Sequence, residues 1–155
     1  MKAYKIALLL LISAVGFSCA ACFPEGGGGL VNPEYRIINV WRLAHAYCDD
    51  VEVDTTSFNM DDIYYQAYMP NTLYYIYADH VMNVICSYHG QIRQSTFSTW
   101  ILDKREKTLS LDYTLLGRHY VILSEIRKLT KNELIIEFEE EGRHWRLEMY
   151  SQTGY

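Results

Sequence analysis

From residue 35 onward, apolar and polar residues alternate with a period of two along most of the chain. Successive side chains of a β-strand point to opposite faces, so this period is typical of strands with one buried and one solvated face. The clearest example lies near the end, where Trp145, Leu147 and Met149 alternate with polar and charged residues. Glycine, asparagine and charged clusters interrupt the pattern at short intervals and predict turns. The pattern therefore predicts a meander of antiparallel strands.

Eight strands follow from this pattern. They cover residues 36–47, 72–77, 81–88, 95–102, 107–113, 118–129, 133–139 and 143–150. Strands with one apolar face each must pack as two layers or close on themselves, and closure removes exposed edges. We predict one all-β domain over 35–155, an eight-stranded antiparallel up-and-down β-barrel, whose interior is filled by side chains or holds one small ligand. For the connection 48–71 two alternatives stay open, a short helix over 59–68 and a lid over a sheet edge.

Residues 1–22 follow a different pattern. Lys2 and Lys5 precede an apolar run over 6–17, and small residues then lead to two cysteines. The run is too short to span a bilayer core of ~30 Å, which requires ~20 apolar residues. This N-terminal segment is therefore predicted to be an export signal rather than part of the fold.

The two cysteines behind the apolar run are Cys19 and Cys22. A cysteine in this place resembles the lipobox of bacterial lipoproteins, which implies lipid attachment at Cys19, the cysteine closer to the run, with Cys22 as the alternative. The resemblance also implies a location in the bacterial cell envelope, where the lipid would anchor the protein to the outer membrane on its periplasmic or surface face. The other interpretation is ordinary cleavage after Ala20 or Ala21, which would leave no lipid.

Residues 23–34 contain four consecutive glycines between Pro24 and Pro33 and have no periodic apolar pattern. This composition is typical of a flexible linker between an anchor and a domain. A phosphate-binding glycine loop is excluded here, because no strand precedes the glycines and no Lys-Ser or Lys-Thr pair follows them.

Composition restricts the partners of the domain. Half of the chain is apolar, which is enough for a substantial core, and the formal net charge is −5. Both basic residues of the signal segment lie outside the domain, so the domain itself is more acidic still. A protein that binds nucleic acid needs a concentrated positive face, and an anionic lipid surface attracts basic segments. We therefore expect no nucleic-acid partner, and membrane contact only through the lipid.

Cys48 and Cys86 lie in the predicted domain. In the predicted strand order they belong to the first and third strands, two strand spacings or ~9 to 10 Å apart. A disulfide requires a Cα separation of ~4.4 to 6.8 Å. We expect two free thiols unless a loop folds back.

Tyrosine is the candidate ligand-binding residue type, since the chain contains 14 tyrosines. An aromatic ring with a polar tip suits a pocket for an amphipathic ligand, whereas simple strand packing is the alternative. The candidate positions are Tyr75, Tyr77, Tyr113 and Tyr120. The last two are predicted to point inward, because the charged residues around them define the outer face.

His45 is the fifth candidate. It is in phase with Trp41 and Leu43, so we predict that it points into the barrel, as a core histidine or as a base. No pair among the five histidines has metal-ligand spacing, and zinc requires three or four converging ligands. No nucleophile elbow or zinc-protease motif occurs either. We expect no catalytic residue, no metal and no cofactor.

Several short motifs resemble the lipocalin-like domains of small lipoproteins from Bacteroidetes-type bacteria. They are Val40-Trp41-Arg42-Leu43, Trp100-Ile101-Leu102-Asp103 before a charged hairpin and Leu109-Ser110-Leu111, Tyr120-Val121-Ile122, and Leu129-Thr130-Lys131-Asn132-Glu133-Leu134 before a closing strand. The resemblance spans roughly residues 38–151. It implies a barrel that binds a small hydrophobic molecule, and it implies no enzymatic activity.

Two functional hypotheses follow. The first is an exported, lipid-anchored binding protein for a small hydrophobic or amphipathic ligand. The second is a non-enzymatic structural or interaction lipoprotein with a filled barrel, whose surface or Tyr-rich segment 57–71 docks another envelope protein or a glycan. The interior discriminates them, because ligand sites are cavities of ~300 Å³ or more whereas a filled core is closely packed.

Overall fold

The computed structural model describes residues 32–54 and 63–153. A short helix α1 (Pro33–Ile37) comes first, and a 3₁₀ helix (Ile63–Tyr68) lies between the second and third strands. The strands are β1 (Asn39–Cys48), β2 (Val51–Glu52), β3 (Leu73–Ile76), β4 (Met82–Tyr88), β5 (Gln91–Gln94), β6 (Thr96–Asp103), β7 (Thr108–Leu115), β8 (Arg118–Leu129), β9 (Glu133–Glu140) and β10 (Arg143–Ser151).

The strands form one antiparallel sheet in the order β5-β4-β3-β1-β10-β9-β8-β7-β6, and β2 pairs with β1. β10 returns to pair with β1, so the meander curls around on itself. The two sheet ends meet where Thr99 of β6 bridges to Val81. At this place the Trp100 amide donates to the His80 carbonyl at 3.0 Å, and the Trp100 indole donates to the Tyr77 carbonyl at 2.8 Å. The domain is a nearly closed antiparallel barrel, as the alternating pattern predicts.

The predicted strand count of eight is wrong, because the described residues contain ten strands. Each of the eight predicted strands is present, and β2 and β5 are additional. β5 has the sequence Gln-Ile-Arg-Gln and is exposed throughout, so it has no apolar face that a pattern could reveal. It forms a hairpin with β4 through His89 and Gly90, whose φ values of 49° and 72° are typical of a tight two-residue turn.

The chain enters the barrel through α1 rather than through a strand that begins at residue 36. The Asn32 side chain accepts from the Glu34 amide at 3.2 Å and caps this helix, and Pro33 occupies its first turn. Ile37 is buried, and its carbonyl accepts from the Trp41 indole at 2.8 Å. The helix therefore begins within the predicted linker and delays the first strand to Asn39.

Large side chains fill the barrel. Trp41, Trp100 and Trp145 are each at most 1% exposed, and buried aliphatic residues from β1, β3, β4, β7, β8, β9 and β10 surround them. The inward positions predicted for the last strand, including Leu147 and Met149, are confirmed by their burial. Close packing of this kind is typical of a protein core.

The connection after β1 contributes to this core. Of the two alternatives, the helix is confirmed over Ile63–Tyr68, while 55–62 lie outside the described residues. Gln66, Ala67 and Tyr68 are buried. The chain then rejoins the sheet where the Asn71 amide donates to the Leu43 carbonyl at 2.8 Å. The 3₁₀ helix thus packs into the barrel instead of lying on its outside.

Both domain cysteines are buried free thiols, as predicted. Cys48 ends β1 and Cys86 lies on β4, and β3 separates the two strands in the sheet. The predicted signal over 1–22, its cysteines Cys19 and Cys22, and the linker up to residue 31 lie outside the described residues.

Candidate functional site

Four buried tyrosines meet inside the barrel, and we call them the tyrosine cluster: Tyr68, Tyr74, Tyr113 and Tyr120. Tyr113 and Tyr120 are fully buried, which confirms that both point inward. They come from adjacent strands, β7 and β8, and their rings stack at 4.9 Å with an angle of 13°. Tyr74 of β3 lies edge-on to Tyr113 at 6.5 Å, and Tyr68 lies edge-on to Tyr120 at 5.9 Å.

Tyr68 is the member of the cluster that does not belong to a strand. Its ring lies 4.5 Å from that of Trp145 and 5.6 Å from that of Phe138. Its hydroxyl donates to Oε2 of Glu140 at 2.9 Å. The carboxylate of Glu140 also accepts from Arg118 at 3.2 Å, and both side chains of this pair are less than one-fifth exposed. One end of the barrel interior therefore combines an aromatic lining with a carboxylate acceptor.

The other hydroxyls of the cluster differ in their partners. Tyr74 donates to the Ala67 carbonyl at 2.6 Å and so fixes the 3₁₀ helix. The hydroxyl of Tyr113 is buried, makes no hydrogen bond of ordinary geometry, and interacts with the Tyr74 hydroxyl. Most buried polar groups in folded proteins are hydrogen-bonded, and a buried group without a partner costs about 1–3 kcal/mol. Tyr113 is thus an interior polar group whose hydrogen bonding is incompletely satisfied by the protein.

Burial also determines the acid–base chemistry of the cluster. It raises the pKa of Tyr68, Tyr74 and Tyr113 well above the ordinary value of 10.0, because the anionic form cannot be solvated inside the barrel. These phenols stay protonated at neutral pH. They can donate hydrogen bonds, but they are not suited to act as general bases or nucleophiles.

His45 does not point into the barrel, so that prediction is wrong. A β-bulge between Leu43 and His45 inserts Ala44 and reverses the alternation that follows. One extra residue exchanges the two faces of a strand. His45 is consequently exposed, with its Nδ1 2.7 Å from the Glu52 carboxylate, and Ala46 takes the inward position.

Tyr75 and Tyr77 are not part of the interior cluster. Tyr75 alternates with the buried Tyr74 and Ile76 along β3, and Tyr77 is 46% exposed. Their rings stack on each other at 6.4 Å. The structure therefore brings together two of the five predicted ligand-binding residues, Tyr113 and Tyr120, and places the other three outside.

Two described cysteines and three described histidines lie either buried or in surface contacts with carboxylates. Burial raises the pKa of Cys48 and of Cys86, which disfavours the reactive thiolate. His45, His119 and His144 each contact a carboxylate on the exposed surface. Among residues 32–54 and 63–153, no three histidine, cysteine, aspartate or glutamate side chains come together as a metal site would require.

An exposed apolar surface escaped the sequence analysis. We call Val81, Ile101, Val121 and Leu123 the apolar face, and the last three are 63%, 69% and 67% exposed. Ile101 and Leu123 are both in register with Ser110 of β7. Val81 pairs with Thr99, Thr99 with Asp112 and Asp112 with Val121, so Val81 and Val121 lie in a second row across the same strands.

A signal for the apolar face was present in the sequence. Residues Tyr120 to Leu123 are uninterruptedly apolar, although a strand with one solvated face should alternate. The outward positions Val121 and Leu123 break the expected polarity. Exposed apolar residues grouped on one part of a surface mark interaction sites more often than single ones do, and here Thr99, Ser110 and Asp112 lie among them.

No helix in the part of the chain that the structure describes is long and apolar enough to cross a membrane. No protein-family model and no curated protein sequence matches the chain.

Proposed function

We propose that this chain is an exported, lipid-anchored protein with a lipocalin-like barrel domain that acts without catalysis, by docking another protein of the bacterial envelope. The observation that carries the proposal is the position of its apolar surface. The barrel interior is occupied by its own aromatic and aliphatic side chains, while Ile101, Val121 and Leu123 stand on the outside.

The arrangement of the apolar face supports a macromolecular partner. It spans three strands, β6, β7 and β8, whose register places apolar residues on both sides of Ser110 and Asp112. A central apolar patch with a polar rim is the common anatomy of protein interfaces. Here Asp112, which contacts His119 at 2.7 Å, lies within the face, and Glu125, which contacts Arg127 at 2.7 Å, lies at its edge.

The chemistry of the face favours a protein over the other candidate partners. Aliphatic side chains offer no hydrogen bonds to the hydroxyl groups of a glycan. The carboxylates beside the face, Asp103, Asp112 and Glu125, disfavour anionic lipid and nucleic acid. We expect a partner with an apolar surface flanked by basic residues, because such a surface complements this rim.

The N-terminal segment supports a location in the envelope. It has the charge and length of an export signal, and lipid attachment at Cys19, with Cys22 as the alternative, would hold the domain near a membrane. The glycine-rich residues before the barrel would leave the apolar face free to meet its partner.

Site-specific photo-crosslinking of the full chain in a related bacterial host tests the proposal. A photo-reactive residue at Leu123 should give one discrete cross-linked product, which an added Val121→Lys substitution should remove. Ser87 is the matched control, because it is exposed on β4 away from the apolar face. Equal products from both positions, or none from Leu123, would contradict docking through this face.

A second candidate function is binding of a small hydrophobic or amphipathic ligand inside the barrel. It is favoured by Tyr113, whose buried hydroxyl makes no hydrogen bond of ordinary geometry. Native mass spectrometry of the protein purified from an envelope extract without detergent separates the two functions. One small molecule per chain would support the ligand, and a bare mass even after a lipid and metabolite mixture is offered would support docking.

A further inference from the structure

We infer that the barrel contains a binding site for a small phenol, and that the Tyr68 side chain occupies this site in the present conformation. The inference deepens the second candidate function and is independent of docking through the apolar face. It starts from the fact that Tyr68 belongs to a 3₁₀ helix of six residues and not to the sheet.

The sheet alone supplies a complete receptor for a phenol ring. Tyr120, Phe138 and Trp145 come from β8, β9 and β10, and their rings lie 5.9, 5.6 and 4.5 Å from that of Tyr68. Aromatic pairs at these separations attract each other beyond the burial of their area. Three neighbouring strands thus surround one ring that none of them provides.

The same site contains a built acceptor for a hydroxyl group. Oε2 of Glu140 accepts from the Tyr68 hydroxyl at 2.9 Å, and Arg118 holds the other carboxylate oxygen at 3.2 Å. The guanidinium of Arg118 also lies 4.9 Å from the centre of the Tyr120 ring. Because this ion pair is held by β8 and β9, the acceptor stays in place when the 3₁₀ helix moves away. The carboxylate selects a neutral phenol over an anionic ligand.

The hydroxyl of Tyr113, which makes no hydrogen bond of ordinary geometry and interacts with the Tyr74 hydroxyl, is a separate observation that fits a ligand. Tyr113 is fully buried, and its ring stacks on Tyr120, one wall of the site. Its hydroxyl would gain a hydrogen bond from a ligand with a second polar group. The preferred ligand is therefore a small aromatic molecule with a hydroxyl group at one end and a further polar group at the other.

Side-chain hydrogen bonds connect the occupying segment to its surroundings. The Tyr68 hydroxyl donates to Glu140, the Tyr74 hydroxyl donates to the Ala67 carbonyl at 2.6 Å, and the Thr72 hydroxyl donates to the Gln66 carbonyl at 3.3 Å. A ligand that replaces Tyr68 must compete with this tethered ring. In the open form, the Tyr68 ring has left the site. If the open form makes up ~0.1–10% of molecules, the apparent affinity of the wild type for a phenol falls roughly 10- to 1,000-fold below that of the open form.

Calorimetric titration with p-cresol, the side chain of tyrosine as a free molecule, tests the inference. The full chain should bind p-cresol with a dissociation constant in the millimolar range. The dissociation constant of Tyr68→Ala should be at least tenfold lower, because tenfold is the smallest loss of affinity expected from competition with the Tyr68 ring. Toluene, which has the ring but no hydroxyl, should bind Tyr68→Ala more weakly than p-cresol does. This preference should shrink when Glu140→Leu is added. Tyr77→Ala is the control, because Tyr77 is exposed and its removal should leave p-cresol binding at the wild-type value.

Hydrogen exchange of the wild type supplies a readout of displacement. Bound p-cresol should speed exchange of the amides over 66–72 and leave β8, β9 and β10 protected. Binding by Tyr68→Ala without any binding by the wild type would overturn the inference, since Tyr68 would then be a permanent part of the core. If Tyr68→Ala does not fold, Tyr68→Leu keeps part of the volume and permits the same comparison. A native ligand that is not a phenol, with no effect of p-cresol on the wild type, would overturn this inference and leave the second candidate function standing.

Discussion

The hydroxyl of Tyr68 donates a hydrogen bond of 2.9 Å to the carboxylate of Glu140, a residue 72 positions away in the chain. This contact connects the 3₁₀ helix to the end of β9, where Arg118 of β8 also contacts Glu140. A segment outside the sheet thereby completes the packing of the sheet's interior. The stability of the barrel should consequently depend on Tyr68 as much as on residues of the strands.

Two substitutions of Tyr68 should separate the contribution of its hydrogen bond to stability from that of its buried ring. Tyr68→Phe removes the hydrogen bond to a charged acceptor and should lower the free energy of unfolding by about 1.5–3 kcal/mol. Tyr68→Ala also removes the buried ring and should cost about 3–5 kcal/mol. Urea denaturation followed by circular dichroism measures both values. Tyr77→Phe, at an exposed position, is the matched control and should change stability by less than about 0.5 kcal/mol.

The buried phenols predict a sharp alkaline transition. Burial raises the pKa of Tyr68, Tyr74 and Tyr113 above 10.0 in the folded state. The folded state therefore keeps protons that the unfolded state releases, so the stabilising contribution is complete below pH 10 and is lost as the pH rises above it.

Tyrosinate absorbance and circular dichroism, recorded in one pH titration, check this prediction. The last tyrosines should ionise in a cooperative step that coincides with the loss of β-structure. Smooth ionisation of all tyrosines while the barrel stays folded would show that the cluster is accessible to solvent and would refute its assignment as a buried cluster.

Alternation of polarity was sufficient to predict the barrel, because each of its long strands buries one face. It was insufficient for β5, whose four residues are all exposed and mostly polar. It also could not locate the bulge at Ala44, since an inserted residue changes the phase without changing the composition. The sequence pattern also could not predict contacts between residues that are distant in the chain. Nothing in the local sequence of Tyr68 indicates that its ring packs against Trp145 or that its hydroxyl meets Glu140.

Because of the bulge, substitution by glutamine should have a small effect on stability at one position and a large effect at the next. His45→Gln alters an exposed side chain and should change the free energy of unfolding by less than about 0.5 kcal/mol. Ala46→Gln forces a long amide into a position with no exposed surface and should cost about 3 kcal/mol or more. Thermal denaturation of the two variants measures the difference. The reverse order would place His45 inside the barrel and remove the bulge.

Phe97 provides a final prediction, because it combines an unfavourable backbone with an exposed ring. Its φ is 51° and it is 91% exposed, in the irregular part of β6 just before Thr99. A left-handed conformation costs a residue with a Cβ about 1–2 kcal/mol, and a glycine avoids that cost. Phe97→Gly should therefore be more stable than Phe97→Ala by about 0.5–1 kcal/mol, once the larger entropy of unfolded glycine is included. Denaturant unfolding of both variants decides this, and an alanine variant as stable as the glycine variant would refute the strain. If the proposed docking also uses the exposed Phe97 ring, both variants should weaken the cross-link formed from Leu123.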